Sequence, residues 1–171
     1  MSKFTIIATS LNESSKSQQL AKIVHDKLGD DAHSLFDMRQ LDPPFAGSNE
    51  GWEYEGLLPL KESVEQSSHI IFAVPIYCYD VNAVAKNIIE LIGRSFTNKV
   101  IGFICSAGGT SSYMSVMGFA NHLMLDFRSV ITPRFVYVDP SGWNDDQLND
   151  EILDRLDLLI DDMKSIQVSA S

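Results

Sequence analysis

A chain of 171 residues, 44% hydrophobic and 21% charged, has the composition of an ordinary folded protein, and its length suits one domain over residues 1–171 better than two. Disorder, collagen and coiled coil are excluded as descriptions of the whole. A net charge of -10 argues against nucleic acid and anionic membrane as partners, since both call for a positive surface, but leaves room for a small anionic cofactor held locally.

The first apolar run, residues 4–8, reads as a strand and is followed by a helical pattern over 17–28 with Gly29 as its stop. A second strand is expected over 33–36, then a long excursion over 42–55 that acts as a lid or a packing loop, then a weaker helix over 56–66. Strands over 69–74 and 100–105 enclose a helix over 82–93 that stops at Gly93, with Asp80 available to cap it. A helix over 113–127 and a fifth strand over 131–138 follow. The last helix carries Leu148, Ile152, Leu156, Leu159, Ile160 and Met163 as one stripe, with Asn144 as N-cap and Gln147 in capping-box position. The tail after Ile166 is expected to fray.

Strands alternating with helices predict a three-layer α/β/α sandwich. Five strands joined by right-handed crossovers predict a parallel sheet in the order 2-1-3-4-5, the flavodoxin-like arrangement. Neither Cys78 nor Cys105 lies in a C-x-x-C pattern, so both are expected as free thiols, Cys78 partly buried and Cys105 in the core. The first apolar run is too short for a signal peptide, and no run suffices to span a bilayer, so a soluble cytoplasmic protein is expected. No pair of histidines has metal-ligand spacing, so no metal site is expected.

In such sheets ligands bind beyond the carboxyl ends of the strands at the switch point, which singles out three loops. The first, Thr9-Ser10-Leu11-Asn12-Glu13-Ser14-Ser15-Lys16-Ser17, runs into a helix start. Ser10, Asn12, Ser15 and Ser17, with Lys16, suit a phosphate, and equally suit plain N-capping. The second, Pro75-Ile76-Tyr77-Cys78-Tyr79-Asp80, opens with a proline expected to end the ladder. Its two tyrosines either flank a planar ligand or cover the helix–sheet junction. The third, Ser106-Ala107-Gly108-Gly109-Thr110-Ser111-Ser112, has paired glycines that permit positive φ and close approach, or form a tight turn.

These stretches resemble signatures of the NADPH-dependent FMN reductase family. Ser10 and Ser15 match its Gly-Ser-x-Arg-x-x-Ser-x-Asn/Thr loop, with Thr9 in place of the Gly and Asn12 in place of the Arg. Pro75, Tyr77, Lys86 and Asn87 match its Pro-x-Tyr-Asn-x-Ser-x-Pro-Gly-x-x-Lys-Asn stretch, while Cys78, Asp80, Asn82 and Ala83 depart from it. Residues 36–41 resemble its Asp-Leu-Arg-x-Leu.

The resemblance implies an FMN-binding, NAD(P)H-dependent oxidoreductase that passes hydride through flavin to an acceptor such as a flavin, quinone, azo dye or metal ion. It implies that Ser10, Asn12, Ser15 and Ser17 hold the phosphate, that Pro75, Ile76, Tyr77 and Cys78 flank the flavin ring, and that Ser106, Gly108 and Gly109 approach its other edge. No catalytic acid, base or nucleophile is required of the polypeptide. NADPH and NADH are both open as co-substrate, and a homodimer or homotetramer is expected. The alternatives are a flavodoxin-like electron carrier and a degenerate member that has lost flavin. A receiver domain and a small phosphatase are excluded by the absence of their acidic and C-x5-R motifs.

Overall fold

The computed structural model describes residues 3–168. The expected fraying of the tail reaches residues 169–171, which lie outside the described residues. The strands are β1 (Phe4–Ala8), β2 (Ala32–Asp37), β3 (His69–Tyr77), β4 (Asp80–Val81), β5 (Val100–Ser106), β6 (Val130–Ile131), β7 (Val136–Val138), β8 (Trp143–Asn144) and β9 (Gln147–Leu148). The helices are α1 (Lys16–Leu28), α2 (Asn49–Trp52), α3 (Leu58–Gln66), α4 (Ala83–Ile92), α5 (Met117–Phe127) and α6 (Asp150–Ser165).

The main sheet runs β2-β1-β3-β5-β6, parallel throughout, with β7 also parallel to β5 further along. Because β6 and β7 lie along the same edge of β5, the core order is the expected 2-1-3-4-5. The fifth strand is not continuous over 131–138: Pro133 lacks a ladder N–H and separates its two pieces. β1, β3 and β5 are buried on both faces, which explains their unbroken apolar runs. On one face α1 and α6 set Leu20, Val24, Leu156, Leu159 and Met163 against Ile6, Ile71 and Ile104. On the other α3, α4 and α5 set Leu60, Val64, Ile88, Phe119 and Leu123 against Ile7, Phe72 and Phe103.

Several local expectations change. Gly29 does end α1, at φ 53. Gly93 does not stop α4 by a left-handed turn; it continues at φ -54 into a 3-10 turn, and a Cβ there would meet the Phe127 ring at 2.2 Å. Asp80 does not cap α4. It pairs with Tyr77 in a β3–β4 hairpin and accepts from Val81 N–H at 2.7 Å. The helix expected from 113 begins at Met117.

Asn144 does not cap α6. Asn144 and Gln147 pair across the β8–β9 hairpin, with Trp143 opposite Leu148. The cap is Asn149, whose Oδ1 accepts from Ile152 N–H at 2.9 Å. The long excursion is a packing loop: Asn87 accepts from Ala46 N–H at 2.8 Å and donates to Pro44 O at 3.1 Å, pinning it to α4. Lys86 pairs with Glu90, one turn on along the same helix. Cys105 is buried, and burial pushes its thiol pKa far up; Cys78, expected partly buried, is exposed.

Candidate functional site

One cavity of about 230 Å3 lies where β1, β3 and β5 end. The first loop lines it with Ser10, Asn12, Ser14, Ser15, Lys16 and Ser17, the second with Pro75, Ile76 and Tyr77, the third with Ser106, Ala107 and Gly108. Ser14 and Ala107 had no signal beyond lying in these loops. Cys78, Tyr79 and Gly109 do not line the cavity. A larger hollow of about 620 Å3 lies between α3, α4 and α5, lined by Lys61, Glu65, Glu90 and Arg94, and none of the three loops reaches it.

The first loop is curled by its own side chains. Ser10 Oγ accepts from Asn12 N–H at 3.2 Å, and Asn12 Oδ1 from Ser14 N–H at 2.9 Å. Ser15 caps α1 by accepting from Gln18 N–H at 3.1 Å, and its hydroxyl lies 2.9 Å from that of Ser17. Within that pair one hydroxyl proton holds the other oxygen, leaving a second proton to donate. A donor at a helix N-terminus suits an anion, because the helix dipole points the same way.

Two cations bear on this loop. Lys16 lines the cavity, but its Nζ is drawn to Asp146 at 3.1 Å and lies 4.2 Å from the Trp143 ring centre. Arg39, just after β2, donates through Nε to both carboxylate oxygens of Asp37, at 2.9 and 3.0 Å. Its Nη1 donates to the carbonyls of Asn12 and Glu13, at 3.4 and 3.2 Å. The guanidinium holds the Asp37 carboxyl below the ordinary carboxylate range, and Asp37 in turn raises Arg39. Arg39 therefore grips the loop from outside by its carbonyls. Its sequence signal was the segment after the second strand, which resembled a family motif without suggesting this contact.

The second loop differs from expectation. Pro75 does not end the ladder: β3 continues to Tyr77, and Pro75 pairs with Ser106. Beyond it Cys78 and Tyr79 form a two-residue turn at φ 51 and 65, both left-handed and neither glycine. Tyr79 Oη donates to Ser111 O at 2.7 Å and so ties this hairpin to the third loop. In the third loop neither Gly108 nor Gly109 has positive φ, and a Cβ on either would meet nothing within 4 Å. Their contribution is open space and a bare backbone. Tyr137 Oη donates to Gly109 O, and Ala107 N–H to Val138 O at 2.9 Å, which moors this loop to β7.

The sheet order and the loops at its switch point define a flavodoxin-like α/β protein. The model of the NADPH-dependent FMN reductase family matches residues 2–143, and the chain belongs to that family of flavin-dependent oxidoreductases. No curated protein matches it significantly in sequence.

Among solved structures it is similar to FerB, a flavoenzyme NAD(P)H:(acceptor) oxidoreductase from Paracoccus denitrificans, at 17% identity and a TM-score of 0.74, covering 96% of this chain and 98% of that one. An oxidoreductase from Corynebacterium diphtheriae aligns at 14% identity and a TM-score of 0.80, covering 96% of each chain. An NAD(P)H:quinone oxidoreductase from Methanothermobacter marburgensis aligns at 14% identity and a TM-score of 0.66, covering 100% of each. At these identities the likeness is one of fold.

Proposed function

We propose that this chain binds FMN at the cavity between the three loops and oxidises a nicotinamide to reduce a small acceptor. The observation that carries the reading is a hollow lined by all three loops, with hydroxyl donors and a helix start at one end. Ser10, Asn12, Ser15, Lys16 and Ser17 would hold the phosphate. Pro75, Ile76 and Tyr77 would flank the ring, with Ser106 and Gly108 at its other edge, while Cys78, Tyr79 and Gly109 would border it from outside the cavity. The donor set suits a phosphate bound through hydroxyls and backbone N–H groups instead of an arginine. When bound, FMN supplies the two-electron chemistry that links nicotinamide to acceptor. The polypeptide's part is to bind, orient and shield, and no side chain is assigned as acid, base or nucleophile.

Lys16 is the cation among the lining residues, and Asp146 already engages it, so a 2′-phosphate on the nicotinamide would gain little here. That supports NADH as the preferred co-substrate over NADPH. Phe119 and Leu123 of α5 are taken up by the core while Met117 and Leu125 of that helix, and Met114 just before it, stay exposed, which supports a homodimer or homotetramer. Among the described residues no helix is long and apolar enough to cross a membrane, in keeping with a cytoplasmic protein.

Purified protein should be yellow, or turn yellow when FMN is added and the excess removed. Anaerobic NADH should then bleach it faster than NADPH does. A protein that stays colourless supports the degenerate member, and a flavin that neither nucleotide bleaches supports the electron carrier.

A further inference from the structure

Thr9 and Asn82 are the positions where this chain carries Thr and Asn in place of the Gly and Pro of the signatures it resembles. They lie 73 residues apart and touch. Thr9 Oγ1 donates to Asn82 Oδ1 at 2.7 Å, and Asn82 Nδ2 donates to Thr9 O at 2.7 Å. Both are buried, at 0% and 7% exposure. The two departures are therefore one reciprocal pair.

The backbone explains why the pair is there. β1 and β3 are parallel, in register from Phe4↔His69 to Ala8↔Ala73. Past the end of β1, Thr9 N–H still donates to Ala73 O, at 3.1 Å. In a parallel ladder a residue that donates to one carbonyl accepts from the N–H two residues further along the partner strand. For Thr9 O that donor would be residue 75, which is proline and has no N–H. A buried carbonyl without a donor is costly. Asn82 Nδ2 supplies the missing donor, and its oxygen takes the Thr9 hydroxyl. Asn82 stands at the N-cap position of α4 yet makes no side-chain cap bond there, so its amide is committed to the neighbouring loop.

Thr9 leads directly into the first loop, while Pro75 and Asn82 bracket the β3–β4 hairpin. The pair thus fixes the spacing between the phosphate end and the ring end of the cavity. We propose that Asn82, with Thr9 as its partner, is a positioning residue that holds these two loops at the separation a bound flavin mononucleotide needs. This rests on the FMN reading above.

The test has two arms, on the full chain. The first is hydrogen exchange without flavin. In Asn82→Ala, peptides covering residues 9–14 and 76–81 should exchange at least about tenfold faster, while those of α6 stay at the wild-type rate. Asn82→Asp keeps the shape and loses the donor, so it should do the same if the alanine variant folds poorly. Thr9→Ser keeps the hydroxyl and should exchange like wild type. The second arm is FMN titration with visible circular dichroism. Kd should rise about tenfold in Asn82→Ala with a changed dichroic band, and adding Thr9→Val should weaken it no further. Unchanged exchange in the first loop of both Asn82 variants, or additive losses in the double variant, overturns the proposal. Wild-type protein that binds no FMN overturns the functional reading instead, and the exchange arm still decides whether the pair positions the loops.

Discussion

At the residue scale the site is governed by groups that hold its loops from behind. Arg39 is the clearest case. Its fork satisfies Asp37 and two loop carbonyls together, a geometry that a lysine ammonium cannot reproduce. Holding the carbonyls of Asn12 and Glu13 keeps both turned toward the guanidinium and fixes the loop backbone. Arg39→Met and Arg39→Lys should both weaken FMN binding by about tenfold in a calorimetric titration, from the loss of charge-assisted bonds. Equal affinity in wild type and Arg39→Lys would show that charge alone matters. In the sequence Lys16 is legible as the available cation and Arg39 is not, because the Arg39 contact spans 27 residues and depends on where β2 lies beside β1.

At the element scale most of the fold was legible, because buried strands and amphipathic helices carry their own periodicity. What escaped was decided by tertiary context. Asn144 precedes the last apolar stripe and stands in a capping-box pattern, whereas Asn149 falls inside it, after Leu148. Pairing Trp143 with Leu148, which is buried, turns that stretch into a hairpin and moves the cap to Asn149. Pro75 has the look of a strand end, yet it continues β3 because β5 still pairs with it and Asn82 supplies Thr9 O with the donor the proline lacks. Of the candidate site, the three loops and most lining residues were legible from strand order. The ties between the loops were not, since Tyr79 to Ser111 and Asn82 to Thr9 cross from one loop to another.

The β3–β4 hairpin also carries local strain that no periodicity reveals. A two-residue turn with positive φ at both positions favours Asn-Gly, and here it is Cys78-Tyr79. A left-handed non-glycine residue costs about 1–2 kcal/mol, less for asparagine. Cys78→Asn should therefore raise stability by about 0.5–1 kcal/mol in urea denaturation without disturbing the Tyr79 tie. A drop in stability would mean that the thiol makes a contribution the turn geometry does not account for.

At the scale of the whole molecule, much of the charge of -10 lies on Asp150, Glu151, Asp154, Asp157, Asp161 and Asp162 of α6, off its apolar stripe, which leaves room for the anion site proposed at the first loop. The more consequential tie between layers is His69. It is buried at the start of the central strand, with its ring stacked on Phe4 at 4.7 Å between centres. Its Nε2 lies 2.9 Å from Met163 O and 3.3 Å from Ile166 O. Carbonyls only accept, so Nε2 carries the proton and Nδ1 accepts from the Ser68 hydroxyl, at 2.7 Å. Ser68 Oγ itself accepts from Lys3 N–H at 3.2 Å, which agrees with that direction. The C-terminal end of α6 is thus fastened to the sheet through a neutral imidazole.

Burial pushes the His69 pKa below its ordinary 6.5, against the opposing pull of the two carbonyls. In the unfolded chain the ring takes up a proton below about pH 6.5, while in the folded protein it resists until lower pH. The unfolded state therefore binds more protons in that window, and stability falls as pH drops, by up to about 1.4 kcal/mol per pH unit for this one group. Asp37 adds a separate loss further down. Its carboxylate, held low by Arg39, stabilises the fold above about pH 3.9, and that contribution goes as pH falls through the folded value. The test is the urea midpoint of wild type and His69→Gln between pH 7.5 and 5. The variant should be less stable at pH 7.5 by about 1–3 kcal/mol, from lost buried hydrogen bonds and ring packing, and its stability should fall less steeply over the window. Parallel slopes in the two proteins would place the acid sensitivity elsewhere than in the joint between α6 and the sheet.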